Sequence, residues 1–153
     1  MDIMSARNMI EKLFPHLKPF EYEVRSEKDY KYNCFAFTLN DTKHNWDPNP
    51  YADKYWPEGM AREPALEAVI AMYQSFGYVR CSNWDIEPGF QKIALYVKEG
   101  QPRHAAKQLP SGRWVSKLGY HVDFEHPLEP LNGGFYGDIQ YILKRPVQIN
   151  MKD

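Results

Sequence analysis

Two side chains in this sequence have types and positions that suit covalent chemistry, Cys34 and His104. Cys34 opens a short apolar run, Cys34–Phe35–Ala36–Phe37–Thr38–Leu39, which reads as a helix. A thiol at a helix start sits among unpaired N–H groups, which favour its thiolate. An imidazole beside it takes the thiol proton. The same N–H groups can hold the oxyanion of a tetrahedral intermediate. His104 lies far downstream in a segment that reads as a strand. The chemistry expected is attack of Cys34 on a carbonyl, with His104 relaying the proton. The competing account is a buried core cysteine, because cysteine is among the most buried residue types.

A third group would orient His104, and the register of a hairpin decides which. Residues 103–109 and 114–118 flank Pro110–Ser111–Gly112–Arg113, which is turn chemistry. A two-residue Ser111–Gly112 turn sets Gly119 opposite His104 and puts Lys117 on its face. A three-residue Ser111–Gly112–Arg113 loop puts Ser116 there instead, since a one-residue slip swaps faces. Asp123 on the next segment is another candidate, and a carboxylate is a good partner for an imidazolium. His121 and His126 flank Asp123 and Glu125, but their spacing matches no zinc motif, and they read as surface polarity. No glycine-rich phosphate loop is present. No cofactor and no metal are expected.

These residues need elements to hold them. Residues 5–13 read as a helix capped by Ser5 and ended by Pro15 and Pro19. Residues 21–24 suit a short strand. Residues 40–62 carry prolines, Trp46, Tyr55 and Trp56 with no periodicity. A loop of that length is often functional, and the expectation is that it lies over a groove floored by Cys34. Residues 63–77 repeat Leu66, Val69, Ile70, Tyr73 and Phe76 at helical spacing, with Pro64 at the start and Gly77 at the end. Strands are expected at 78–81, 92–97, 120–124 and 136–143. Helices followed by a run of strands give an α+β class with an antiparallel sheet.

The 153 residues suit a single domain, 1–153. Nineteen Lys and Arg against twenty Asp and Glu give a net charge of −1, which lacks the basic footprint of nucleic-acid binding. No apolar run reaches the roughly 20 residues of a membrane span, and no signal peptide is expected at the N-terminus. Two cysteines without C-x-x-C spacing suit reduced thiols in a cytoplasmic protein.

Several stretches carry a resemblance. Tyr32–Asn33–Cys34–Phe35–Ala36, His104–Ala105–Ala106–Lys107–Gln108–Leu109 and Ser111–Gly112–Arg113–Trp114–Val115–Ser116–Lys117–Leu118–Gly119 look like a family of uncharacterised bacterial proteins. Tyr55–Trp56–Pro57 and Gly133–Gly134–Phe135–Tyr136–Gly137 extend the match over most of the chain. The order of helix-start Cys, strand His and following polar residue also resembles the papain-like fold, in its compact NlpC-type hydrolases. That resemblance implies a papain-like core with N-terminal helices and an antiparallel sheet. It implies Cys34 as nucleophile, His104 as base and Ser116 near the third position. The expected activity is a cysteine hydrolase or transferase acting on an amide-type bond of a peptide-like or small amide substrate. The alternative is a non-catalytic binding or immunity-type module that takes a protein partner in the same groove.

Overall fold

The computed structural model describes residues 3–147. Its centre is β3 (Phe90–Lys98), paired on one side with β4 (Gln101–Gln108) and on the other with β7 (Asp138–Pro146). β5 (Trp114–Lys117) and β6 (Asp123–His126) continue the sheet beyond β4. β1 (Glu23–Ser26) and β2 (Val79–Cys81) form its edges. The order is β1-β6-β5-β4-β3-β7-β2, and every pairing is antiparallel.

Both faces of this sheet are covered, which is why Ile93 to Val97 read as an unbroken apolar run. Successive side chains alternate between faces. Ala94 and Tyr96 join a first core with Ala106, Trp114 and Phe124, under α1 (Ile3–Leu13). Ile93 and Leu95 join a second core with Ala105 and Leu143, under α2 (Cys34–Thr38) and α3 (Leu66–Ser75). Helix α1 buries Ala6 and Ile10, four residues apart on one face. Helix α3 starts after Ala65 and ends at Phe76, with Gly77 at φ +93° turning the chain into β2.

The expected α+β, papain-like core with N-terminal helices is not what the chain forms. Among the described residues it is mostly a seven-stranded antiparallel sheet with three short α-helices. The Cys-bearing segment stops after five residues. Leu39 bonds back to Ala36 and Phe37, and Asn40 enters the left-handed region at φ +62°. One turn and a half of helix cannot serve as a long central element. Strand β1 also precedes α2 and α3, so the helices are not an N-terminal block. The strand expected at 120–124 lies at Asp123–His126 instead. A turn takes up the difference, with His121 N–H bonding Leu118 O and Leu118 N–H bonding Val122 O.

The hairpin between β4 and β5 adopts neither of the two expected registers. Lys107 faces Val115, Gln108 faces Trp114, and Leu109 N–H bonds Arg113 O at 2.7 Å. The loop is Pro110–Ser111–Gly112, with Gly112 at φ +92° in the position where a three-residue hairpin wants glycine. This places Ser116 on the face of His104 and Lys117 on the other.

Among the described residues, no helix is long and apolar enough to cross a membrane.

Candidate functional site

His104 points into the first core. Its ring stacks on Tyr136 at 4.0 Å with 5° between the planes, and lies 5.3 Å from the ring of Tyr96, its cross-strand neighbour. Its Nε2 is 2.8 Å from Ser116 Oγ, and that oxygen is 2.8 Å from His126 Nε2. His126 Nδ1 is 2.7 Å from Pro127 O. His104, Ser116 and His126 are all fully buried.

The chemistry of the atoms fixes where the protons are. Pro127 O only accepts, so His126 Nδ1 carries hydrogen. Burial holds the His126 pKa down at about 4, so its ring is neutral near pH 7 and its Nε2 is a bare acceptor. The single hydroxyl hydrogen of Ser116 therefore goes to His126. Ser116 Oγ then accepts from His104 Nε2–H. Burial, and then the nearby His126, hold His104 well below its ordinary value, so it is neutral too. Its Nδ1 is left as a buried lone pair with no partner among the described residues. The hydroxyl of Tyr96, on the same face, is likewise buried and unpaired.

Cys34 lies in the second core, 6 % exposed. Asn33 caps α2, its Oδ1 accepting from Ala36 N–H at 3.3 Å. The sulfur faces the N–H groups of Ala105, Phe35 and its own residue. The Ala105 N–H belongs to the peptide that joins His104 to Ala105. Cys34 thus abuts the backbone of His104 while the imidazole leaves the strand on the other face. The structure has no hydrogen bond between Cys34 and His104.

Electrostatics differ from the sequence expectation. A helix start was expected to favour the thiolate. Burial instead pushes the Cys34 thiol up to about 11, against the lowering by three backbone N–H groups and the more distant Lys117. A five-residue helix has little dipole to offset that cost.

The other candidates have separate roles. Lys117 is fully buried, and its Nζ donates to the carbonyls of Asp29, Gly119 and His121 at 2.9, 2.8 and 2.7 Å. It ties the loop after β1 to the turn between β5 and β6 on the Cys34 side of the sheet. Burial lowers its pKa, opposed by the charges of Asp29, Asp123 and Cys34. Asp123 takes a hydrogen bond from Ser26 Oγ across β1 and β6, so it does not orient His104.

His126 is the residue that the sequence reading misplaced. It is core, not surface polarity. Its two-residue spacing from Phe124 put it on the buried face of β6, and that alternation was the available signal. Among the described residues, no group of three or more His, Cys, Asp or Glu is arranged to hold a metal ion.

The long loop packs on the Cys34 side. Trp46 and Trp56 are buried in the second core with Cys34, their rings 6.4 Å apart and edge-on. Trp46 Nε1 donates to Asp41, and Trp56 Nε1 to Ala61 O. Asn33 donates to Trp46 O and accepts from Trp46 N–H, so the residue that caps α2 also anchors the loop. Arg62 closes the loop by donating to the carbonyls of Asp47, Ala52 and Lys54.

No curated protein and no solved structure matches the chain. A family model covers residues 23–144, from β1 into β7 and so across Cys34, His104, Ser116 and His126. The chain belongs to that family, described as a domain of unknown function (DUF7689).

Proposed function

We propose that the domain is a thiol hydrolase or transferase acting on an amide-type bond of a peptide-like or small amide substrate, with Cys34 as nucleophile and His104 as base. The observation that supports this best is the bare, buried Nδ1 of His104. The chain Pro127–His126–Ser116 leaves that nitrogen as the acceptor, and the Cys34 sulfur lies against the adjoining peptide. A thiol pushed up and an imidazole pushed down do not form a resting ion pair. The proton therefore moves only as the sulfur attacks. The buried sulfur requires that substrate open the cover over α2. Because the imidazole stands on the opposite face of the sheet, the same opening must bring His104 to the sulfur. The S–C bond then forms, the thiol proton passes to Nδ1, and the N–H groups of Phe35 and Ala105 take the oxyanion. The proton then goes to the departing amine as the C–N bond breaks. Water, or another acceptor, releases the thioester.

A second reading has an observation of its own. The depth of Cys34 and its pKa of about 11 suit a core thiol in a non-catalytic binding module with a protein partner.

Alkylation of Cys34 by iodoacetamide across pH 6–10 separates the two. The thiol reading expects labelling that falls in His104→Ala, and turnover of N-acyl amino acid amides that Cys34→Ser abolishes. Labelling only in denaturant, with no amide turned over, would sink it in favour of the binding module. Cys81 is the internal control in the same sample and is expected to be inert.

A further inference from the structure

Tyr136 stacks on His104 and is also among the residues that line a surface pocket of about 430 Å3. That volume lies within the roughly 300–1,000 Å3 of small-ligand sites. Met9 and Leu13 of α1 and Leu118 after β5 line it with aliphatic surface.

Its rim is aromatic and open. Tyr30, Tyr120 and Phe135 are 64 %, 47 % and 54 % exposed, although each is large enough to be expected in a core. Tyr30 and Tyr120 lean together with ring centres 6.3 Å apart, and Phe135 meets Tyr136 edge-on at 5.3 Å. Aromatic side chains held open around one concavity present faces for another ring.

The charge in the lining is positive and comes from Lys28. Burial, and then Lys28 and Lys117, lower the pKa of His121, so its ring is neutral, and among the described residues no Asp or Glu lines the pocket. Lys54 Nζ stands 5.8 Å over the ring of Tyr120. Asp29, next to Tyr30, is engaged by Lys31 at 3.7 Å. His121 Nδ1 is buried with no partner among the described residues.

We infer that this pocket binds a small molecule with an aromatic ring and a carboxylate, of the N-acyl aromatic amino acid class, the ring among Tyr30, Tyr120 and Phe135 and the carboxylate toward Lys28. Tyr136, shared by the pocket lining and the His104 stack, makes it a subsite of that histidine, and in that respect it rests on the thiol reading. Binding itself does not.

The test is titration of the full chain with N-acetyl-L-phenylalanine, followed by calorimetry and by amide NMR shifts. Saturable binding is expected, with shifts at His121 and Tyr136. The primary amide of the same compound should bind about fivefold more weakly, the worth of one half-exposed ion pair. N-acetylglycine should bind at least tenfold more weakly. Lys28→Glu and Phe135→Ala, both exposed sites whose loss does not threaten folding, should each weaken binding about fivefold or more. Equal affinity for acid and amide, or no saturation with folded protein, overturns the inference. A dimer in sedimentation that Phe135→Ala dissolves would assign the rim to a second copy and also overturn it. Binding without amide turnover would defeat the thiol reading and leave this inference standing. Turnover of amides without saturable binding of the probe would do the reverse.

Discussion

Replacing Ser116 by Ala removes one oxygen and breaks two hydrogen bonds of 2.8 Å. It strands the Nε2–H of His104 and the bare Nε2 of His126 in a region with no solvent access. Each stranded buried group costs about 1–3 kcal/mol. The void left by a hydroxyl is small, so the loss of these partners dominates, and the total is about 2–5 kcal/mol. At roughly 2–4 °C per kcal/mol for a domain of this size, Tm should fall by about 5–15 °C. Urea unfolding should show a lower midpoint with an unchanged slope, since the surface exposed on unfolding is the same. Imidazole nitrogen shifts give an independent reading. In the wild type, His104 should be the Nε2–H tautomer and His126 the Nδ1–H tautomer. In Ser116→Ala, His104 loses the partner that selects its tautomer. A cost below about 0.5 kcal/mol, or a wild-type spectrum showing His104 with hydrogen on Nδ1, would refute the proton assignment.

The pH dependence follows from the same pair. Both imidazoles titrate near 6.5 once unfolded, whereas the folded values are depressed, to about 4 for His126. The unfolded chain therefore binds protons first as pH falls. Stability is full above about pH 7 and is lost as pH drops through 6.5 toward 4, at about 1.4 kcal/mol per pH unit for each ring. Urea midpoints at pH 7 and pH 5 should differ by roughly 3–4 kcal/mol from this pair, and a flat profile would contradict neutral burial. Lys117→Met should cost about 2–4 kcal/mol in the same assay, because three carbonyls lose their ammonium donor. A stabilised variant would show that the ammonium's own desolvation outweighs those bonds. Gly137→Ala should cost at least about 2 kcal/mol. Its φ is +87°, and a Cβ would meet Val97 O at 2.3 Å, a backbone atom of β3 that cannot step aside. Near-wild-type melting of that variant would mean that β7 can shift. Tryptophan emission should respond to alkylation of Cys34 through Trp46 and Trp56, and Trp46→Phe should remove part of the response. An unmoved signal would detach the loop from the thiol.

Local pattern was enough to reveal the helical repeat of Leu66, Val69, Ile70 and Tyr73, the buried run Ile93 to Val97, and the hairpin around Ser111 and Gly112. Each is a property of a few consecutive residues, and periodicity and turn chemistry record it directly. The amino-acid types also single out Cys34 and His104 as the groups with reactive chemistry. What short-range pattern does not record is which face of a sheet a residue meets. The one-residue displacement of the β4–β5 loop set Ser116 beside His104 and turned Lys117 to the opposite side. Only the pairing of β5 with β6 carried His126, ten residues further along the chain, onto Ser116. The class was misjudged for a related reason. The short strands at β1 and β2 were expected, but local pattern did not show that β6 and β7 would gather them into one seven-stranded sheet, or that the Cys34 helix would stop after five residues. Burial of the thiol is likewise a sum over the whole second core. Residue type makes Cys34 a nucleophile in principle, while packing by α3, β4 and the loop that carries Trp46 and Trp56 decides its charge.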